Sequence, residues 1–191
     1  MADGNIRVGA VLMASGAARR FGANKLLQEV DGATMIERAM DAVPAGLFHR
    51  AAVVGAHPEI LSLAEDRGYL AIPNPCADEG QSASIRLGAS ALSDMDGLLF
   101  AVCDQPWLTR ESVRRLIAAF SRDPRRVCAL SWQGRRGNPA VFPSALFPEL
   151  AALRGDRGGA AIIRAHPELL HLVEAASPRE LQDVDAPEDV R

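Results

Sequence analysis

Cysteine is scarce: three residues, at 76, 103 and 128, an odd count with no Cys-x-x-Cys pair. That excludes a disulfide framework and a zinc ribbon, and it fits reduced, buried thiols in the cytoplasm. No stretch is long and apolar enough to span a bilayer, so no membrane partner is expected. A surplus of one charge is also missing. The 21 basic and 24 acidic residues leave a net charge of -3, and the signs are interleaved. A nucleic-acid footprint needs a clustered basic excess, so no nucleic-acid partner is expected. The densest basic spots are Arg125-Arg126, read as a solvated loop end, and Arg135-Arg136.

Several chemical signatures are absent too. There is no Gly-x-Gly-x-x-Gly fingerprint of a dinucleotide fold, and no Gly-x-Ser-x-Gly nucleophile elbow. His49, His57, His166 and His171 lack metal-ligand spacing. There is no internal repeat, low-complexity tract or linker, so residues 1–191 are expected to form a single domain.

What is present is a soluble, core-forming composition, 48% apolar and 24% charged. Its hydrophobic period alternates along the chain. Ile6 to Met13 is a short apolar run entering a loop of small residues, which reads as a strand buried on both faces rather than as a secretory leader. Helical spacing follows at Thr34–Val43, Pro58–Arg67, Gln81–Leu92 and after Thr109, an expected N-cap, with shorter patterns at 146–153 and 159–164. Ala51–Val54, Tyr69–Ile72, Leu98–Val102, Val127–Trp132, Ala140–Phe142, Leu169–Val173 and Leu181–Val184 read as strands, with a Gly-Arg-Arg-Gly turn at 134–137. Strands alternating with helices imply βαβ units and a mostly parallel sheet covered on both faces.

In such sheets ligands bind beyond the carboxyl ends of strands. Two of those loops are chemically rich. The first runs from Met13 through Ala14, Ser15 and Gly16 to Arg20, Gly22 and Lys25. Small residues let the backbone approach a ligand, successive N–H groups can cradle an anion, and Arg20 and Lys25 add positive charge. This is not a Walker A loop, because five residues separate Gly16 from Gly22, and neither Ser nor Thr follows Lys25. The second loop begins at Asp104, directly after Leu98–Val102. Its carboxylate suits a hard divalent ion, or else caps the next turn. Asp185 is either a second acid for that ion or an N-cap. Ser82 and Ser84 either bind phosphate or base at a helix start, or cap that helix.

Taken together, these loops resemble the MobA-like NTP transferases, and within them the molybdenum cofactor cytidylyltransferases. The likeness rests on Met13-Ala14-Ser15-Gly16 with Arg20, Gly22 and Lys25, then Asn74-Pro75, Gly80-Gln-Ser-Ala-Ser84, Cys103-Asp104-Gln-Pro106, Gly137-Asn-Pro139, Gly155-Asp-Arg-Gly158 and Val184-Asp-Ala-Pro-Glu-Asp189. It spans nearly the whole chain in order. The resemblance implies a Rossmann-like three-layer α/β nucleotidyltransferase fold with a mostly parallel, mixed central sheet. It implies that Met13 to Gly16, Lys25, Asn74, Ser82 and Ser84 bind the nucleotide, and that Lys25, Arg20 and Asp104 serve catalysis. Asp104 and Asp185 would hold Mg2+. The expected partners are an NTP, a molybdopterin-type phosphate acceptor and a molybdenum hydroxylase apoenzyme. Relatives that use GTP tend to carry Gly at the position of Ser15 and those that use CTP tend to carry Ala, so a Cβ there favours CTP. The sequence departs from the family pattern at Met13 and Ser15, and after Gly158, where Gly159 replaces the usual Arg. Rival readings are guanylyl or sugar-phosphate nucleotidyl transfer, a non-catalytic cofactor-handling protein, and a plain NAD-binding domain.

Overall fold

A computed structural model describes residues 6–16, 24–185 and 189. The chain opens with β1 (Val8–Ala14), which pairs with a strand on each side. A two-stranded hairpin, β2 (Glu29–Val30) and β3 (Ala33–Thr34), follows. Asp31 and Gly32 both have positive φ, 48° and 84°, the backbone that a two-residue hairpin turn needs and that Asp-Gly supplies cheaply. The sequence reading had no hairpin here. Then come α1 (Met35–Ala42), β4 (Arg50–Gly55), α2 (Pro58–Asp66), β5 (Leu70–Pro73), α3 (Gln81–Ala91) and β6 (Gly97–Val102). The second half holds α4 (Arg110–Arg122), β7 (Val127–Trp132), β8 (Arg135–Pro143), α5 (Phe147–Ala152), α6 (Gly159–Ala165) and β9 (Leu170–Glu174).

The seven long strands form one sheet in the order β5-β4-β1-β6-β8-β7-β9. Pairs β5-β4, β4-β1, β1-β6 and β7-β9 are parallel, whereas β8 runs antiparallel to both of its neighbours. The fold is thus a three-layer α/β sandwich with a mixed, mostly parallel sheet. Successive side chains on a strand point to opposite faces, so β1 must be apolar throughout. Val8, Ala10, Leu12 and Ala14 enter the core under α1, α2 and α4, while Val11 enters the core under α3, α5 and α6. Helix α3 presses closely on β1: a Cβ at Gly88 would stand 2.5 Å from Val11 Cγ1, which glycine alone avoids.

Helix starts follow local chemistry. Thr34 and Glu37 form a reciprocal capping box at α1, Pro58 occupies the first turn of α2, and Thr109 Oγ1 accepts the Ser112 N–H at α4. One expected element is absent. Leu181–Val184 is not a strand; Pro178–Leu181 is a 3-10 turn and the next residues join no ladder. Their apolar side chains are used differently, Val184 being buried with Val30 and Met35, and Leu181 packing against the first core. Among the described residues, no helix is long and apolar enough to cross a membrane.

Candidate nucleotide and metal site

The sheet's parallel strands β1 and β6 are in register, with Met13 beside Val102. Their carboxyl ends therefore open together, and the loop after each faces the same cleft. A cavity of about 280 Å³ lies there, lined by Met13, Ser15, Gly16, Lys25, Ser84 and Asp104 among others. Lys25 begins a 3-10 turn whose entry is fixed by Asn24, which accepts the Leu26 N–H. From that turn the Lys25 ammonium reaches two acids from distant parts of the chain. Nζ lies 3.1 Å from Asp104 Oδ2 and 3.0 Å from Asp185 Oδ1. Burial pulls the Lys25 ammonium toward losing its proton, but the Asp104 charge and the hydrogen bonds to both acids outweigh this. Its pKa is raised.

A second set of bonds ties the C-terminal segment to the Asp104 loop. The Val184 N–H donates to the Asp104 carbonyl at 2.9 Å. Buried Gln105 donates through Nε2 to Asp183 Oδ1 at 2.8 Å and to the Leu181 carbonyl at 3.2 Å. Glu180, 2% exposed, accepts from the Thr109 hydroxyl and the Ala176 N–H. Burial, and then the neighbouring Asp104 charge, raise the pKa of Asp183. The Asp185 N–H donates to Asp189 Oδ2. Neither Gln105 nor Asp183 was singled out from sequence, although Gln105 lies inside the Cys103–Pro106 motif.

The remaining expected residues divide. Met13, Ser15, Gly16, Lys25, Ser84 and Asp104 line the cavity, and Asp185 reaches it through Lys25. Ser15 is nearly buried, and its hydroxyl donates to the Val54 carbonyl at 3.1 Å. Ala14 is fully buried in the first core. Asn74 stands behind the wall: its Nδ2 donates to Ser84 Oγ, and its Oδ1 accepts the Cys76 N–H, an Asx-type turn. Ser82 is buried and accepts from Arg86. Arg20 and Gly22 lie outside the described residues. Sequence reading missed Gln81 and Asp156 on the cavity wall. Gly80, with φ of 86°, makes that wall possible, since a Cβ there would stand 3.0 Å from Asp156 Cα.

Two carboxylates that share one ammonium between them are an oxygen donor pair suited to a hard dication. Magnesium usually takes one or two protein carboxylates and completes its shell with water and phosphates. The donor chemistry therefore fits.

The sheet's switch-point cleft, its small-residue loop and its lysine-bridged acids are features of a nucleotide-handling α/β protein. The chain belongs to the MobA-like NTP transferase family, whose domain model matches residues 10–170. It is 29% identical to the nicotine blue oxidoreductase of Paenarthrobacter nicotinovorans, over 94% of this chain and 93% of that protein. It is 27% identical to the purine catabolism protein PucB of Bacillus subtilis (strain 168), over 94% and 92%. A nucleotidyl transferase from Methanothermobacter superposes with a TM-score of 0.79 at 24% identity, covering 96% of this chain and 94% of that one. The fold is the Rossmann-like nucleotidyltransferase fold.

Proposed function

We propose that the protein is a magnesium-dependent nucleotidyltransferase that moves CMP from CTP to the phosphate of molybdopterin. A phosphate oxygen of the acceptor bonds to the α-phosphorus, the bond from that phosphorus to the β-phosphate bridging oxygen breaks, and pyrophosphate leaves. The observation that carries the reading is the approach of Lys25 Nζ to Asp104 and Asp185 at the mouth of the β1–β6 cleft.

The protein has little covalent work to do, so positioning and charge neutralisation provide most of the rate. Asp104 and Asp185 would hold Mg2+, which when bound neutralises phosphate charge. Lys25 has a raised pKa and is fully protonated at neutral pH, ready to pair with a triphosphate. Arg20 is assigned to the leaving pyrophosphate. Ser15 places a Cβ on the cavity wall, which narrows the space for a purine and supports CTP over GTP. A phosphomonoester nucleophile near neutral pH needs no general base. A cytoplasmic location suits three free thiols, and a molybdenum hydroxylase apoenzyme is the proposed recipient of the product.

One relative is named an oxidoreductase, which carries a second reading for this chain, a redox reaction, tested here as hydride transfer. A single assay separates the two: magnesium, molybdopterin and either CTP or GTP, followed by pyrophosphate release, with NAD(P)H consumption followed in parallel. Acceptor-dependent pyrophosphate with CTP preferred is the expected result. NAD(P)H consumption without pyrophosphate would replace this reading with hydride transfer. Tight nucleotide binding without turnover would make the protein a cofactor carrier.

A further inference from the structure

A third apolar cluster stands apart from the two cores that cover the sheet. Val30, Met35 and Val184 are fully buried in it, and Trp107 packs against them. Its parts adjoin the three charged groups of the site. Trp107 follows Asp104 by three residues, and Val184 directly precedes Asp185. Val30 lies on the hairpin that follows the Lys25 turn. That turn is bonded to the base of the hairpin: Gln28 donates its N–H to the Lys25 carbonyl at 3.1 Å and accepts the Met35 N–H at 3.0 Å.

The indole also makes polar contacts with two of these segments. Trp107 Nε1 donates to Asp31 Oδ2, in the hairpin turn, at 3.4 Å. The guanidinium carbon of Arg179 stands 4.2 Å from the Trp107 ring centroid. Arg179 belongs to the 3-10 turn Pro178–Leu181, at the head of the segment that carries Asp185. An indole combines a large contact area with only two rotatable bonds, so it fixes its neighbours at a low entropic cost. Such fixing matters here, because Asp185 is exposed and Asp104 only partly covered. Two carboxylates bind a dication well when their spacing is set beforehand, since ordering them on binding costs affinity.

We infer that Trp107 is a positioning residue for the metal site: packed on Val30 and Val184, with Arg179 on its ring, it holds Lys25, Asp104 and Asp185 at one spacing. The inference deepens the nucleotidyl-transfer reading and rests on its two-carboxylate site. Trp107 does not line the cleft cavity, so it acts through its neighbours.

The test reads metal binding rather than turnover. Manganese(II), a hard dication with a paramagnetic signal, is titrated without nucleotide, and the free ion is measured by electron paramagnetic resonance. Wild type is compared with Trp107→Leu, Trp107→Phe, Arg179→Ala and Val127→Ala. Val127 is fully buried at the amino end of β7, the opposite end of the sheet from the cleft, so its truncation controls for general loosening. The dissociation constant is expected to rise about tenfold or more in Trp107→Leu, the scale for losing support behind a metal ligand. Arg179→Ala should raise it about threefold, and Trp107→Phe, which keeps an apolar ring, should stay within about twofold of wild type. Val127→Ala should lower the melting temperature and leave the constant unmoved. An unmoved constant in Trp107→Leu would overturn the inference; if that variant does not fold, an unmoved constant in the exposed Arg179→Ala would do so. An equal rise in Val127→Ala, or no manganese binding by wild type at millimolar ion, would overturn it as well. Absent pyrophosphate release with the manganese shifts intact would instead strike the nucleotidyl-transfer reading alone.

Discussion

Lys25 Nζ lies 3.1 Å from Asp104 Oδ2, joining residues 79 positions apart across the open ends of β1 and β6. The lysine side chain is 13% exposed and Asp104 30%, so the pair is only partly wetted, whereas Asp185 is 75% exposed. Lys25→Ala is expected to lower kcat/KM by about a hundredfold or more, the scale for losing one charge-stabilising group. Its effect on stability should be small, because water can solvate the released acids. Asp104→Asn should abolish magnesium-dependent pyrophosphate release with the circular dichroism spectrum retained. Near-normal turnover in either variant would remove the site from the chemistry.

Gln105 acts through other groups. Its Nε2 bonds hold Leu181 and Asp183, and through them the segment that carries Asp185. Gln105→Leu should remove the donor from two partly buried acceptors, the Leu181 carbonyl and the Asp183 carboxylate, at a cost of about 1 kcal/mol in a denaturant titration. It should also raise the magnesium concentration needed for half-maximal activity while leaving KM for the nucleotide nearly unchanged. A pure stability loss with an unaltered magnesium requirement would make Gln105 only structural.

Ser15 tests the base preference. Ser15→Gly removes the Cβ from the cavity wall and the hydroxyl bond to Val54. The ratio of kcat/KM for GTP to that for CTP is expected to rise by about tenfold, the usual scale for relieving a small steric exclusion. An unchanged ratio in four-nucleotide competition would detach the base choice from this residue.

Thr34 links helix capping to pH. Hydrogen bonds from the Thr34 hydroxyl and N–H lower the pKa of Glu37. A depressed folded-state pKa means the stabilisation is present above the unfolded value and fades as pH falls through the folded one. Thr34→Ala should therefore cost about 1 kcal/mol at neutral pH. The difference between variant and wild type should narrow below the ordinary carboxylate range. Urea titrations at neutral and acidic pH provide the check.

Much of the fold is legible because it is local. The apolar run before Gly16 is a strand covered on both faces; Thr34, Pro58 and Thr109 start helices, and the strand before Asp104 ends where its apolar run ends. The Asp31-Gly32 turn was equally readable as a hairpin signal, but the strands it joins are only two residues each, too short to show an alternation. Leu181–Val184 misled for the opposite reason. Val184 is buried with Val30 of the hairpin and Met35 of α1, and Leu181 packs against the core under α1, α2 and α4, without a ladder, and a short apolar run does not say which. The antiparallel course of β8 was likewise hidden, since strand direction is a property of pairing.

The sequence by itself determined the alternation of strands and helices, the helix starts, and which loops carry cations, acids and small residues, because each depends on neighbours a few positions away. Only the tertiary structure decided that Lys25 meets both Asp104 and Asp185, that Gln105 moors the C-terminal segment, and that Val30, Trp107 and Val184 share one cluster. Separations of 79 and 160 residues become 3 Å contacts once strand order and the burial of both sheet faces set which ends lie side by side. No local pattern of residues encodes that order.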